Sequence, residues 1–184
     1  MKKAGKIKAL LLIIILIILG FLAYMGLFNI PKVSEREIGP FEFVYEDFTG
    51  DYAETGPIFE EIYQDLLADG IESTVGLGVY YDDPAITPKA ERRSRVGSVV
   101  TKEEAELADK RGNLHREMTV TRKRSMIVEF PYRNSLSIVM GVAKAYPALE
   151  KYRLEKGYKV MPAMEVYDMK NGKIFYAMEI VESN

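Results

Sequence analysis

GLGVYYDDP spans Gly76–Pro84 and AMEVYD spans Ala163–Asp168, and the echo of Val79–Pro84 in Glu165–Asp168 decides the fold. The text leading into each copy is also alike. FEFVYEDF (Phe41–Phe48) alternates Phe41, Phe43 and Tyr45 with Glu42, Val44 and Glu46, the period of a strand. Pro57 to Ala68 then reads as a helix. Pro57 suits a first turn, Phe59, Ile62, Tyr63 and Leu66 share one face, and Gly70 is a stop. After GLGVYYDDP, Arg92 to Val100 supplies another strand. The order is β-α-β-β.

The second half follows the same order. Ser125 to Tyr132 is a strand. Ser137 to Glu155 is a helix carrying Ile138, Val142, Ala145, Leu149 and Tyr152 at helical spacing, with a kink expected at Pro147. Val160 to Tyr167 and Lys173 to Val181 are strands joined through Asn171-Gly172, a hairpin signal. Phe43 precedes Asp82 by 39 positions, and Val128 precedes Asp168 by 40. A repeated βαββ unit explains this better than chance likeness of short strands. The expected fold class is α+β.

Outward from this core, the expected domain runs over residues 41–181, with repeat one at 41–100, a polar insert at 102–118 and repeat two at 119–181. Residues 29–40, with two prolines, read as a linker, and 182–184 as an end. Residues 9–28 read ALLLIIILIILGFLAYMGLF, 20 residues without a charge. At ~1.5 Å per residue they match the roughly 30 Å hydrocarbon core of a bilayer. The run is too long for a cleaved signal's apolar region and lacks a good small-x-small exit, so an uncleaved signal anchor is expected. Lys2, Lys3, Lys6 and Lys8 make residues 1–8 basic. The positive-inside rule then gives a single-pass chain with a cytoplasmic N-terminus and the domain outside.

Composition excludes several functions. The 184 residues contain no Cys, which removes disulfides, thiolate metal sites and cysteine nucleophiles. The single His115 removes multi-histidine zinc sites, and beside Arg116 and Glu117 it reads as a surface histidine. A net charge of −2 argues against general nucleic-acid binding. No G-x-S-x-G elbow occurs, and Gly76-Leu77-Gly78 is no phosphate loop because a strand follows it. No cofactor and no metal are expected.

Charge is segregated along the chain. From Glu42 to Asp83 there are twelve acids and no Lys or Arg; from Lys89 to Arg124 there are eleven basic residues against six acids. Two readings follow. Arg92, Arg93 and Arg95 form a candidate site for an anionic partner, or strands from the two stretches lie side by side and their charges pair, the favoured reading.

TGDYAETGPIFEEIY, VYYDDPAITPKAERRSRVGSVV and FPYRNSLSIVMGVAKAYPALEKYRLEKGYKVMPAMEVYD together resemble the GyrI-like small-molecule-binding domain. They most resemble its membrane-anchored branch, typified by the testis-expressed reticulophagy receptor of animals. The resemblance implies two SHS2-type βαββ modules about a pseudo-twofold axis, enclosing an aromatic cleft with a central acid. It implies an amphipathic or cationic ligand, and in some relatives hydrolysis of electrophilic compounds. Glu165 matches the acid of the family's E-x-Y pattern, whereas the usual last-strand glutamate falls near Phe175. Neither the receptor's long tail with its autophagy motif nor the helix-turn-helix of the regulator relatives has a counterpart, so those activities are not expected. The animal receptor presents its domain to the cytosol, opposite to the orientation the lysines give.

The expected ligand-binding set is Glu165 and Tyr167 with Tyr80, Tyr81, Tyr45, Phe130 and Tyr176; Tyr52 and Tyr132 are further candidate walls. Strand alternation sends Tyr80 and Tyr81 to opposite faces, so one of them lines the cleft. The leading expectation is a non-catalytic binding module. A hydrolase with Glu165 as general base and a protein- or lipid-binding scaffold are the alternatives.

Overall fold

The computed structural model describes residues 2–110 and 115–182. Helix α1 (Lys2–Tyr24) comes first. Its leucines and isoleucines are exposed on every side, which a core helix could not sustain. Among the described residues it is the one helix long and apolar enough to cross a membrane.

The rest is an α+β domain. Its strands are β1 (Val33–Ile38), β2 (Phe41–Thr49), β3 (Val75–Tyr80), β4 (Arg93–Val100), β5 (Arg116–Val120), β6 (Lys123–Pro131), β7 (Ala163–Asp168) and β8 (Lys173–Glu179). Its helices are α2 (Gly56–Ala68), α3 (Lys102–Lys110) and α4 (Ser135–Lys156). The strands form one antiparallel sheet of eight in the order β1-β6-β8-β7-β3-β4-β2-β5.

Two expectations are corrected here. The segment 29–40, read as a linker, contains β1, an edge strand paired with β6. The insert at 102–118 contains α3 and the start of β5. Both were obscured by the high polarity of their sequences. VSEREI and REMTV place charges on a solvent-facing edge, which suits an edge strand and hides it from a hydrophobicity reading.

The sheet is curled, and the connections show why. Partner numbers add to 161 both for β1 with β6 (Val33 with Val128) and for β2 with β5 (Tyr45 with Arg116). The two pairings are therefore one ribbon in one register, bent at Gly39-Pro40 and Thr121-Arg122. A link of two residues spans at most about 11 Å. In a flat sheet, the first and seventh strands of this order would stand about 29 Å apart. The bent ribbon draws the two ends of the order together.

Helices α2, α3 and α4 cover one face. Ile62 and Leu66 of α2 pack with Val44, Val100 and the small Ala105 and Ala108 of α3. Ala145 and Leu149 of α4 pack with Met126, Val128, Phe130, Ile174 and Tyr176. Each fully buried large side chain contributes ~1.5–3 kcal/mol. The other face, enclosed by the curl, holds Phe43, Tyr45, Leu77 and Val166.

Helix α4 is capped by Asn134, whose side chain accepts from the Leu136 amide, and ends at Gly157 with φ +70°, the left-handed conformation glycine adopts freely. It runs through Pro147 without a break. The carbonyl that Pro147 leaves without a donor belongs to Ala143, which is exposed, so the missing bond costs little.

Candidate functional site

At the centre of the sheet β7 lies between β3 and β8. Gly78 sits opposite Glu165, Gly76 opposite Tyr167 and Tyr80 opposite Ala163. On the other flank Glu165 faces Tyr176. Residues in one row share a face, so Glu165, Tyr167, Tyr80 and Tyr176 converge on the helix-covered side. Glycines make room for the rings. A Cβ at Gly78 would lie 2.8 Å from the Tyr80 ring, and one on Gly141 of α4 would lie 2.1 Å from the Tyr176 hydroxyl. The Tyr176 hydroxyl, admitted by that gap, donates to the Ile138 carbonyl at 3.1 Å.

Glu165 is 4% exposed. Both of its oxygens are held by phenols. Tyr146 on α4 donates to Oε1 at 2.5 Å, and Tyr167 donates to Oε2. The Tyr80 and Tyr167 hydroxyls lie 3.4 Å apart. Phe59 of α2 stands edge-on to Tyr167 at 5.5 Å, and Tyr146 edge-on to Tyr176 at 5.7 Å. Ser94 lies across the ladder from Tyr80, and its buried hydroxyl has no partner among the described residues.

Burial pushes the Glu165 carboxyl above its ordinary range, opposed by the hydrogen bonds from Tyr146 and Tyr167. No lysine, arginine or histidine is among the groups acting on it. Burial and the neighbouring Glu165 charge push the phenols of Tyr80, Tyr146, Tyr167 and Tyr176 upward. These phenols therefore serve as neutral donors. The arrangement is a buried carboxyl group in an aromatic shell. Its ionised form is costly to bury unless it is paired, and the hydrogen bonds from the two phenols offset only part of the upward push of burial.

The structure divides the expected residues into groups. Glu165, Tyr167, Tyr80 and Tyr176 come together. Tyr52 adjoins them, edge-on to Tyr80 at 4.8 Å. Tyr45 and Tyr81 lie elsewhere, under the Arg95 guanidinium at 5.0 and 5.7 Å. Phe130 packs in the α4 core, but its ring tip meets Gly26. Tyr132 is half-buried at the edge of the same cluster. The open cleft expected between halves is filled by tyrosine rings. Phe175 faces the other side of the sheet, where it helps to line a cavity of about 310 Å³ with Val75, Val166 and Arg36. Glu165 is not among that cavity's walls.

Tyr146 escaped the sequence reading because it lies one residue off the apolar stripe of α4. The signal that would have found it is Gly141-x-x-x-Ala145, two small residues that bring the helix close to the sheet.

Two charge expectations resolve differently. Arg92, Arg93 and Arg95, the candidate anion site, are paired with carboxylates: Arg92 with Asp51 at 3.6 Å, Arg93 with Asp82 and Arg95 with Asp47, both at 2.8 Å. Their charge is spent within the fold. His115 is not a surface histidine: its side chain is 8% exposed, with Nδ1 2.7 Å from Glu46 and Nε2 2.9 Å from Asp65. Among the described residues no cluster of three or more His, Asp or Glu could hold a metal ion.

No protein-family model matches the chain. Human testis-expressed protein 264 is 28% identical over 171 residues, covering 89% of this chain and 53% of that protein. The mouse homolog is also 28% identical, over 89% of this chain and 54% of its own length. The chain thus spans about half the length of the curated relatives it matches. Among solved structures, the EcmrR C-terminal domain aligns with a TM-score of 0.58 at 13% identity, over 83% of this chain and 99% of that domain. SAV2435 bound to tetraphenylphosphonium aligns at 0.56 and 14% identity, over 82% and 94%. What is shared at these identities is the fold.

Proposed function

We propose that the chain is a membrane-anchored binding module that takes a small hydrophobic cation at Glu165. The observation that carries this is the buried Glu165 carboxyl, which has no basic partner among the described residues and is walled by tyrosines. A cation supplies the missing charge, and the rings supply dispersion and cation–π contact. SAV2435, which shares the fold, was solved with tetraphenylphosphonium, an organic cation of this kind. The site is closed in this structure, so entry requires Tyr146 and Phe59, the half-buried groups between α4 and α2, to swing aside.

The same reading treats the domain as two βαββ units about a pseudo-twofold axis. Its support is the strand order: β6-β8-β7 on one side of centre and β3-β4-β2 on the other. In both, the first strand lies outermost, the last in the middle and the second at the join. Anchoring rests on α1, and a cytoplasmic N-terminus on its four lysines. Kinship with the membrane-anchored branch rests on the 28% identity.

The test is titration of the full chain in detergent with tetraphenylphosphonium and with neutral triphenylphosphine oxide. The cation is expected to bind and the neutral compound to bind much more weakly. Glu165→Gln is expected to lose at least about tenfold in affinity, roughly 1.4 kcal/mol. Equal binding of both compounds, or an unchanged affinity in Glu165→Gln, overturns the reading.

A further inference from the structure

The chain leaving α1 is fastened to the domain. Lys144 Nζ on α4 donates to the carbonyls of Gly26 at 3.2 Å, Asn29 at 2.9 Å and Leu27. These carbonyls lie just past the helix C-terminus, where a cation is favoured; that of Gly26 also accepts from the Asn29 amide. Met25 is 2% exposed, and its sulfur accepts from the Ser137 hydroxyl. Gly26 lies against Phe130, where a Cβ would sit 2.7 Å from the ring. The Arg133 guanidinium lies 5.3 Å over the Tyr24 ring. The end of α1 thus has a fixed seat on the first half of α4.

Around that seat the surface is apolar. Phe28 and Ile30 are 70% and 83% exposed, and Val139 on α4 is 64% exposed, flanked by Leu136 and Val142. Leu136, Val139 and Val142 are successive i,i+3 neighbours on one side of the helix. Ser137, Gly141 and Ala145, turned away from them, are buried. No charged residue occurs from Ser135 through Ala143, whereas the second half of α4 carries Glu150, Lys151, Arg153, Glu155 and Lys156. The helix changes character where it leaves the neighbourhood of α1.

We propose that the outer face of the first half of α4, with Phe28 and Ile30, rests on the lipid surface, so that the domain is seated on the bilayer rather than suspended from it. This rests on the reading of α1 as a membrane anchor. Given that anchor, the patch is continuous with the end of the span, and the Lys144, Met25 and Phe130 contacts hold it at the level of the headgroups. Lipid is therefore the occupant that this position selects. A half-inserted apolar helix face of this kind sits ~5–10 Å into the headgroup boundary.

The chain has no Trp, so a single introduced Trp is a unique fluorescent probe. The full chain is reconstituted in vesicles of phosphatidylcholine brominated on its acyl chains. Ile13→Trp reports the anchor; Val139→Trp and Leu136→Trp report the seat. Ile86→Trp is the control: Ile86 is 82% exposed and lies beyond Tyr80. Tyr80 shares a row with Ala163, Met178 and Met126, at the other end of the strands from Phe130. Strong quenching is expected for Ile13→Trp, and quenching at least about threefold above the Ile86→Trp control for the two seat probes, as insertion to that depth requires. If Ile13→Trp is quenched but neither seat probe exceeds the control, the seat is overturned and the anchor stands. A blue-shifted but unquenched seat probe, the result of a second copy covering the patch, overturns it equally. If Ile13→Trp is itself unquenched, the anchor falls and the seat with it.

Discussion

The Tyr146 hydroxyl on α4 donates to Oε1 of Glu165 on β7 at 2.5 Å. This bond ties the helix layer to the centre of the sheet at a buried titratable group. Hydrogen bonds to charged groups contribute ~1.5–3 kcal/mol, so Tyr146→Phe is expected to lose about that much stability at neutral pH. In a Glu165→Gln background the loss is expected to fall to that of a neutral bond, ~0.5–1.5 kcal/mol. Urea unfolding of the four chains, read as a double-mutant cycle, checks this. Additive effects would show that the two groups do not couple.

Glu165 also dictates a pH dependence. Burial raises its folded-state carboxyl above the ordinary 4.5. A group raised on folding contributes stability that is fully present below the unfolded value and lost as pH climbs through the folded one. Wild-type stability is therefore expected to decline as pH rises from 4.5 through that raised value. Glu165→Gln removes the decline. Its melting temperature is expected to be flatter across that window, with the gap from wild type narrowing toward acid.

His115 acts in a higher window. Burial opposes its charge, but the hydrogen bonds that His115 donates to Glu46 and Asp65 outweigh that and hold its pKa above the ordinary 6.5. The sign is again that of a raised group: the bridge between β2 and α2 is intact below 6.5 and weakens as pH rises through the folded value. His115→Gln is expected to lower the melting temperature at pH 6 and to have a smaller effect at pH 9, a comparison that thermal scans at the two values settle.

The fold was legible where hydrophobic periodicity was strong and hidden where charge masked it. Phe43 and Tyr45 stand on one face of their strand, and alternation alone assigns that strand. β1 and β5 were missed because Glu35, Arg36, Glu37 and Glu117 sit at a sheet edge, where charge is normal. At the site, alternation correctly separated Tyr80 from Tyr81. It could not reveal that Tyr45 lies across the sheet from Glu165, because that depends on which strands pair. Nor could it reveal His115 between two carboxylates, since Glu46 and Asp65 are 69 and 50 positions away.

Gly141 offers a packing test. A methyl there would lie 2.1 Å from the Tyr176 hydroxyl and 2.7 Å from Cζ, inside a core with no slack. Gly141→Ala would raise helix propensity, yet overpacking costs ~1–3 kcal/mol, and the steric cost is expected to win. Adding Tyr176→Phe removes the nearer clash, so the double variant is expected to recover part of the loss. A single variant as stable as wild type would mean that α4 can move away from the sheet.

Lys144 tests the coupling between α1 and the domain. Its ammonium satisfies three carbonyls of residues 26–29, and Met keeps the length of the stem without the donors. Lys144→Met is expected to leave the domain's melting temperature nearly unchanged, because the core clusters of α2 and α4 do not include it. Locally the carbonyls after α1 would lose the donor they share, and this stretch would open more often. Hydrogen exchange at Leu27 and Asn29, whose amides are bonded to the Leu22 and Gly26 carbonyls, is expected to speed up about tenfold, equivalent to roughly 1.4 kcal/mol of lost local protection, while amides in β7 and β8 keep their rates. Exchange that rises equally in β7 would mean that Lys144 supports the whole core, and unchanged exchange at Leu27 and Asn29 would mean that Met25 and Gly26 hold the helix exit without it.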